Sequence, residues 1–204
     1  VRYAKNRFDN SSLTLKENDY RNAGKDFPQG YFDKGVSIGL LEHVGLSNYR
    51  NFFKTFNELV QSPGKILVHT VTKDISDLHV TPWIDKYIFP GGKVPSHIQV
   101  LEGSEELFKP LHIHTLIPHY DLTCMAWNYK FENSFDQFRE SCGKYFKERW
   151  GNEFVHPYDE CFKRMWNYYL LSCAGAFRAQ TLHVSQFTFA KDNLGESFRN
   201  GYQL

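Results

Sequence analysis

The sequence lacks several features that would assign it to a broad class at once. Its 204 residues include only four cysteines, and none of them form a CxxC pair. That scarcity argues against a disulfide framework and indicates reduced thiols in a cytoplasmic protein. No apolar run approaches the ~20 residues that span a bilayer, and no signal peptide is visible. Any membrane contact is therefore expected to be peripheral, at the membrane surface.

The sequence also has no large excess of positive or negative charge. The formal net charge is +1 and no run of Lys and Arg occurs, so a nucleic-acid partner is not expected. Aromatic residues, in contrast, are abundant at 17%, with twelve Tyr and eighteen Phe. They either fill an aromatic-rich core or line a site with rings. The length predicts one domain that buries roughly 70% of its unfolded surface.

A strand, a helix and a second strand follow one another near the start of the chain. Apolar residues alternate from Val36 to Leu41, which predicts a short strand. Ser47 is a suitable N-cap for the following segment, whose apolar residues recur at spacings of three and four. The nearly continuous apolar run Lys65–Val71 predicts a strand covered on both faces. This is a βαβ unit, so its strands should be parallel and its crossover right-handed.

Two residues able to do chemistry fall at the ends of these strands. Glu42 follows the first strand and His69 lies near the end of the second. Open α/β sheets bind their ligands at the carboxyl edge of their strands, so an acid and an imidazole should meet there. The alternative is that Glu42 caps the next helix and His69 is a satisfied buried histidine.

The rest of the chain predicts an α/β fold, a doubly wound sheet with a helical cap. The segment between Lys73 and His97 is long enough to form a lid or a binding wall, and its prolines leave room for one short helix only. The remaining patterns predict, in order, a strand at Leu13–Leu15, the short helix at Trp83–Tyr87, a helix at Ile98–Lys109, a strand at Leu111–Ile117, a helix capped by Asp121, a helical stripe at Phe135–Trp150, a helix from Pro157 to about Gln180, and a closing strand at Leu182–Phe189.

Other candidate chemistries are weaker. His112 and His114 would share a strand face at a spacing that zinc can use, but no third ligand is near, so no metal is expected. A hydrolase built on Cys173 and His69 is disfavoured because a mid-helix, apolar thiol is not activated. Small residues beside Cys173 indicate either close helix packing or the approach of another group.

Five segments make the pattern specific. FDKGVSIGLLEHVG at residues 32–45 resembles the motif that follows the Gly-rich loop in cyclopropane fatty acid synthases, which are S-adenosylmethionine-dependent enzymes. Four later segments resemble the same family in the same order, and the match covers nearly the whole chain. These segments are Leu67–Thr70, Pro82–Gly92, His119–Trp127 and Tyr168–Arg178.

The resemblance implies a class I S-adenosylmethionine-dependent methyltransferase fold, a Rossmann-like sheet with a helical cap insertion. Residues 1–204 would form the C-terminal part of a single methyltransferase domain. Its first strand and Gly-rich cofactor loop would lie upstream of Val1, since no GxGxxG occurs here. Residues 73–180 would hold the cap and lipid-binding insertions. The truncated chain alone is expected to be inactive. Gly35 departs from the larger aliphatic residue that is usual in the family.

The resemblance also implies an activity. A methylene carbon would pass from S-adenosylmethionine to the cis double bond of an unsaturated phospholipid acyl chain, and a cyclopropane ring would close with bound bicarbonate as base. His69, the hydroxyl of Tyr120, Cys173 and the backbone N–H of Ile38 would donate hydrogen bonds to bicarbonate. Glu42 would accept a hydrogen bond from it.

The cofactor side of the site is implied in the same way. Gly39 would lie against S-adenosylmethionine, and Asp19 and Tyr20 would sit near the adenine. The abundant aromatic rings would stabilise the carbocation formed on the acyl chain. The expected partners are unsaturated phospholipid acyl chains, with peripheral membrane contact, and homodimerisation is left open.

Two other readings stay open at this point. A related lipid or amine methyltransferase would share the fold and the cofactor but end the reaction differently. A non-catalytic fragment, structural or partner-binding only, would fit a chain without the Gly-rich loop.

Overall fold

A computed structural model of the protein describes residues 2–8, 13–77, 81–151 and 156–191. Within these ranges four strands form one mixed sheet in the order β1-β2-β4-β3. The first two strands pair in parallel, and the other two pairings are antiparallel. The strands are β1 Phe32–Ile38, β2 Val60–Thr72, β3 Lys109–Leu116 and β4 His183–Lys191.

Helices connect and cover these strands. The helix α4 joins β1 to the parallel β2, which confirms the predicted βαβ unit. The final strand and the short helix between Lys73 and His97 are also confirmed. In chain order the helices are α1 Arg2–Arg7, α2 Ala23–Asp26, α3 Leu41–Val44, α4 Tyr49–Leu59, α5 Pro82–Tyr87, α6 His97–Ser104, α7 His119–Trp150 and α8 Glu160–Arg178, with 3₁₀ turns at Tyr20–Asn22 and Leu46–Asn48. No helix in the described ranges has the length and apolarity to cross a membrane.

Several predicted elements are wrong. Leu13–Leu15 forms no strand, because three residues of β propensity need a neighbouring strand to pair with. The predicted helix to Lys109 ends at Ser104. Asp121 is no N-cap, since α7 begins two residues earlier.

The helices of the cap also differ from their predicted bounds. The two apolar stripes on either side of residue 133 belong to a single helix, α7, which runs for 32 residues without a break. The helix predicted from Pro157 starts instead at Glu160, where Asp159 caps it through a bond from the Phe162 N–H, and it ends at Arg178. It has 19 residues, against 32 in α7.

One face of the sheet carries the main core. Alternate residues of β2 and β4 point to this face and meet α4 and α6. Phe53 packs edge-on against Phe189, with ring centroids 5.4 Å apart. Burying each such side chain stabilises the fold by roughly 1.5–3 kcal/mol. The fully buried members are Leu41, Phe52, Phe53, Val60, Ile66, Val68, Val100, Phe187 and Phe189.

On the opposite face, a second buried cluster lies near the carboxyl end of β2. There Cys124 of α7 and Phe177 of α8 pack with Val71 and Val184. α7 and α8 form an antiparallel pair that approaches the sheet at the start of α7 and the end of α8. One end of this helical pair therefore covers the edge of the sheet at which Glu42 and His69 lie.

Backbone contacts join the two ends of the long segment between Lys73 and His97. The Lys73 N–H donates to the Pro95 carbonyl at 3.0 Å, and Lys73 forms an isolated β-bridge with Ser96. Beside this bridge, Ser185 Oγ lies 2.7 Å from both Thr72 Oγ1 and His97 Nε2. The segment thus leaves and rejoins the sheet at one point, which holds α5 over the carboxyl edge.

The histidine in this buried network predicts a pH dependence. Burial lowers the pKa of His97, and the neighbouring His183 lowers it further. The unfolded chain then binds a proton below pH ~6.5 that the folded chain does not, so stability falls as pH decreases through that range. Replacing His97→Gln should flatten the decline in unfolding free energy between pH 7.5 and 5.5, measured by urea denaturation. The exposed His112→Gln serves as control, and parallel curves for His97→Gln and wild type would contradict the expectation.

Gly35 stands where a larger aliphatic residue was expected, and the structure gives a local reason that can be tested. A Cβ at this position would lie 2.6 Å from Cε1 of Phe56, so the Phe56 ring occupies the space of a side chain. Gly35→Val should lower the free energy of unfolding by about 1–3 kcal/mol through overpacking. Adding Phe56→Leu should recover much of that loss. Urea denaturation of the single and double variants checks this, and purely additive losses would refute the steric cause.

Candidate active site

Glu42 sits in the first turn of α3, directly beyond β1. Its Oε1 accepts a hydrogen bond from the Val71 N–H of β2 at 2.6 Å. Its Oε2 is buried and has no hydrogen-bond donor among the described residues. Leaving such an oxygen unsatisfied costs about 1–3 kcal/mol or more, so the site is suited to a ligand that donates to it. The alternative role as a helix cap fails, since Asn48 precedes α4 without a side-chain cap.

The turn between β1 and α3 is shaped by glycine. Gly39 has φ +61°, a left-handed conformation that favours glycine. A Cβ built on Gly39 would meet no atom within 4 Å, so the space over this turn is open to a ligand. The Gly39 N–H donates to the His69 carbonyl at 2.9 Å.

The register of this pair fixes the direction of one backbone donor. Ile38 and His69 are register partners in the parallel ladder. The His69 carbonyl accepts the bond from Gly39, so the N–H and C=O of His69 point to β1. In a parallel ladder the N–H and C=O of its register partner, Ile38, then point away from β2. The Ile38 N–H is therefore directed to the outer side of β1.

His69 is half-buried on the same face of β2 as Val71. Its Nδ1 lies 3.3 Å from Nε2 of Gln186, the cross-strand partner on β4. With the Gln186 amide as donor, Nδ1 is the acceptor, and the proton of the neutral ring lies on Nε2. His69 can then donate from Nε2, which is the role predicted for it.

Tyr120 and Cys173 are brought together from distant parts of the sequence. Tyr120 lies in the first turn of α7 and Cys173 near the end of α8, and both pack against the buried cluster that Val71 also contacts. Burial raises the pKa of Tyr169 to about 12, and Cys173 and Tyr120 contribute to that shift. The structure therefore brings Tyr120, Cys173 and Tyr169 near one another, at the cluster that covers this end of β2.

The Cys173 thiol is protonated at neutral pH. Burial raises its pKa to about 12, and Cys124 contributes further. A neutral S–H is a weak hydrogen-bond donor and a poor nucleophile. This environment suits the predicted donor role and weighs against the Cys-His hydrolase reading.

An ion pair that the sequence did not reveal lies at the same end of the helical pair. Nε and Nη2 of Arg178 each donate to the Asp121 carboxylate at 2.9 Å. This bidentate pair joins the first turn of α7 to the last turn of α8. It therefore links the two helices at the end where Tyr120 and Cys173 lie. A single acid and a single base 57 positions apart give no local signal.

A wall of aromatic rings borders the site on the side of α5. Phe89 packs edge-on against Tyr169 with centroids 5.8 Å apart, and its ring also lies 5.6 Å from that of His43. Trp83 packs against Tyr168 at 4.6 Å. These rings belong to the motif Pro82–Gly92, for which the sequence predicted no individual role. The signal was there in the clustering of large rings in a Pro-rich stretch.

Asp19 and Tyr20 make other contacts in the described residues. Asp19 binds the backbone and side chain of Arg21, whose hydrogen bonds lower the pKa of Asp19 to about 2. Tyr20 packs edge-on against Phe52 with centroids 5.7 Å apart. Their place near an adenine stays a prediction.

The two candidate zinc ligands lie side by side on β3. The rings of His112 and His114 are 6.0 Å apart. Across the part of the chain that the structure describes, no group of three or more His, Cys, Asp or Glu side chains has a metal-binding arrangement.

Comparison with known proteins matches this geometry to a family. The model of the mycolic acid cyclopropane synthetase family matches residues 1–187. A cyclopropane-fatty-acyl-phospholipid synthase of Escherichia coli is 35% identical over 188 residues, which cover 92% of this chain and 44% of that protein. The chain thus spans less than half the length of this relative.

Solved structures give the same result for the fold. The mycolic acid cyclopropane synthase CmaA1, complexed with SAH and CTAB, is 27% identical with a TM-score of 0.60, covering 78% of this chain and 55% of that one. Coclaurine N-methyltransferase, bound to N-methylheliamine and SAH, shares the fold alone, with a TM-score of 0.71 at 18% identity over 93% of this chain and 54% of that one. The predicted class I methyltransferase fold is confirmed.

The protonated state of Cys173 predicts slow alkylation. At pH 8 a thiol with a pKa near 12 is thiolate to roughly one part in 10⁴. Iodoacetamide should therefore modify Cys173 at least tenfold more slowly than the exposed Cys161, as followed by peptide mass. Cys161→Ser identifies the fast site. Equal rates at the two cysteines would contradict the buried thiol.

Proposed function

We propose, on the premise that this chain belongs to the mycolic acid cyclopropane synthetase family, that it acts in cyclopropanation. The reaction transfers a methylene carbon from S-adenosylmethionine to the cis double bond of an unsaturated phospholipid acyl chain. The chain spans 44% of the Escherichia coli synthase, so the activity is proposed for a longer protein in which these residues form the C-terminal part of the methyltransferase domain. The observation that carries the proposal is the buried, unpartnered Oε2 of Glu42, whose Oε1 is held by the Val71 N–H. Val71, Tyr120 and Cys173 pack against one and the same buried cluster.

Gly39 contributes to the cofactor side of the site. S-adenosylmethionine, when bound, supplies the electrophilic methyl group. The open space over Gly39 and its left-handed backbone let a ligand approach the turn closely. Asp19 and Tyr20 are proposed to hold the adenine.

The polar side chains around Val71 fit hydrogen carbonate. This anion has one donor and several acceptors, and it needs partners when it is removed from water. Glu42 Oε2 would accept its hydroxyl, while Tyr120, Cys173 and the Nε2 of His69 would donate to its other oxygens. The Ile38 N–H is directed to the outer side of β1, so its bond to the anion stays a prediction. Bicarbonate, when bound, supplies a base. Glu42 orients it through an oxygen whose partner Oε1 is fixed by Val71.

The aromatic wall is suited to the charge that develops on the acyl chain. Phe89 packs edge-on against Tyr169, and Tyr169 is near enough to Cys173 for that thiol to contribute to its raised pKa. Aromatic faces attract cations, and the attraction is stronger where water is excluded. These side chains would position the acyl chain and exclude water, so no strong protein nucleophile is needed.

Access to phospholipid implies contact with a membrane. We propose that the protein is cytoplasmic and reaches the acyl chain as a peripheral protein at the membrane surface. The name of the Escherichia coli relative, a synthase acting on fatty-acyl phospholipid, supports this substrate class.

Glu42→Gln tests the proposal in a version extended upstream to include a Gly-rich loop. The amide cannot accept the same hydrogen bond and donates one of its own. We expect at least a hundredfold loss of turnover, with the affinity for S-adenosylmethionine unchanged. Turnover is measured by mass spectrometry, as a gain of one carbon and two hydrogens per acyl chain. The affinity for S-adenosylmethionine is measured by calorimetry.

The matched control is Glu58→Gln, an exposed carboxylate on α4, which should retain wild-type turnover. Wild-type turnover in Glu42→Gln would reject the proposed site. No acyl mass gain in the extended wild type would reject the reaction. Calorimetry on residues 1–204 alone shows whether this part binds the cofactor without the upstream loop.

A further inference from the structure

We propose that the outer surface of α5 and α8 docks onto a bilayer containing anionic phospholipid. This inference rests on the proposed function, because it specifies the surface through which the acyl chain is reached. The surface, called the α5/α8 patch, consists of Trp83, Lys86, Tyr87, Arg164, Tyr168 and Leu171.

Large apolar side chains give the patch its character. Tyr87, Tyr168 and Leu171 are 48%, 53% and 47% exposed. Trp83 joins them, since its ring lies 5.7 Å from that of Tyr87 and 4.6 Å from that of Tyr168. Two elements about 80 positions apart in sequence thus form one continuous aromatic surface. Tyr and Trp are the residues that favour the interface between water and lipid.

Basic side chains accompany these rings. Lys86 Nζ lies 4.9 Å from the ring of Tyr87. Arg164 is exposed one turn before Tyr168 on α8, so the spacing from Arg164 through Tyr168 to Leu171 is four and three along one helix face. Over the described ranges no salt bridge joins Lys86 or Arg164 to a carboxylate. The patch is therefore complementary to an anionic lipid surface.

The neighbouring carboxylate on α5 is held by the backbone. Asp85 accepts a hydrogen bond from the Gly91 N–H at 2.9 Å, which turns it to the loop that follows α5. Lys86 is exposed, with its Nζ next to the ring of Tyr87.

The patch leads directly to the candidate active site. Tyr168 belongs to the outer surface, whereas the next residue, Tyr169, contacts Phe89 and shares the buried surroundings of Cys173. An acyl chain that leaves the bilayer at the patch meets these inner rings next. Docking here places the substrate within a few side chains of the reacting groups.

A second aromatic surface is less suited to this role. Tyr145 and Trp150, which are 55% and 56% exposed, lie at the far end of α7. A helix of 32 residues is about 48 Å long, and Tyr120 lies at its opposite end. A bilayer at that far end would hold the acyl chains away from Glu42 and Cys173.

Vesicle binding tests the inference without relying on turnover. The probe is a vesicle of equal parts oleoyl phosphatidylglycerol and oleoyl phosphatidylethanolamine, with oleoyl phosphatidylcholine as the uncharged comparison. Partition is measured by co-sedimentation for residues 1–204 and for the upstream-extended protein. Binding should be at least fivefold stronger to the anionic vesicle and should weaken as salt is added.

Matched substitutions locate the surface. Arg164→Gln should weaken partition by about fivefold, the value expected for one cation near an anionic surface, whereas Lys54→Gln on the exposed side of α4 should change nothing. Tyr87→Ser should weaken partition by about threefold or more, and Tyr145→Ser should leave it unchanged. Circular dichroism confirms that each variant is folded.

The outcomes separate docking from catalysis. Wild-type partition in both Arg164→Gln and Tyr87→Ser overturns the patch, as does a loss confined to Tyr145→Ser. Binding by residues 1–204 but not by the extended protein would also overturn it, because another part of that protein would then cover the patch. Acyl product without patch-dependent binding rejects docking alone, and patch-dependent binding without acyl product rejects the proposed function alone.

Discussion

The hydrogen bond from the Val71 N–H to Glu42 is the constraint on which the site depends. It ties the turn after β1 to the last residues of β2, and it fixes one carboxylate oxygen while burying the other. A buried carboxylate oxygen without a donor is costly, so this arrangement is stable only with a hydrogen-bonding ligand or at the expense of stability elsewhere. α7 and α8 cover this end of β2, because Val71, Tyr120 and Cys173 all pack against the same buried cluster.

The elements predicted correctly are those whose signal is local. The βαβ unit follows from alternation in β1, spacing of three and four in α4, and the apolar run in β2, and each pattern is set within a dozen residues. Leu13–Leu15 failed because a strand depends on a partner that local sequence does not specify. The sequence pattern predicted two helices in place of the 32 residues of α7. The apolar residues do not stay on one face of this helix, and such a shift looks like the start of a new helix.

The candidate site residues also differ in how far the sequence could predict them. Topology alone placed Glu42 and His69 at one edge, since parallel neighbours end together. Tyr120 and Cys173 came only from the family resemblance, because their meeting depends on how α7 and α8 pack and on the Asp121–Arg178 pair. The contact of Trp83 with Tyr168 was beyond sequence reasoning for the same reason. Contacts between separate helices are decided by packing geometry, which a single sequence does not encode locally.

The Asp121–Arg178 pair has an evolutionary consequence. It joins α7 and α8 at the end where Tyr120 and Cys173 lie, whereas the other end of α7 is about 48 Å away. Each helical turn added at that far end would extend the pair by about 5.4 Å. Insertions and deletions there would leave the candidate site unaltered, so a lineage can vary the length of this appendage and inherit the site unchanged.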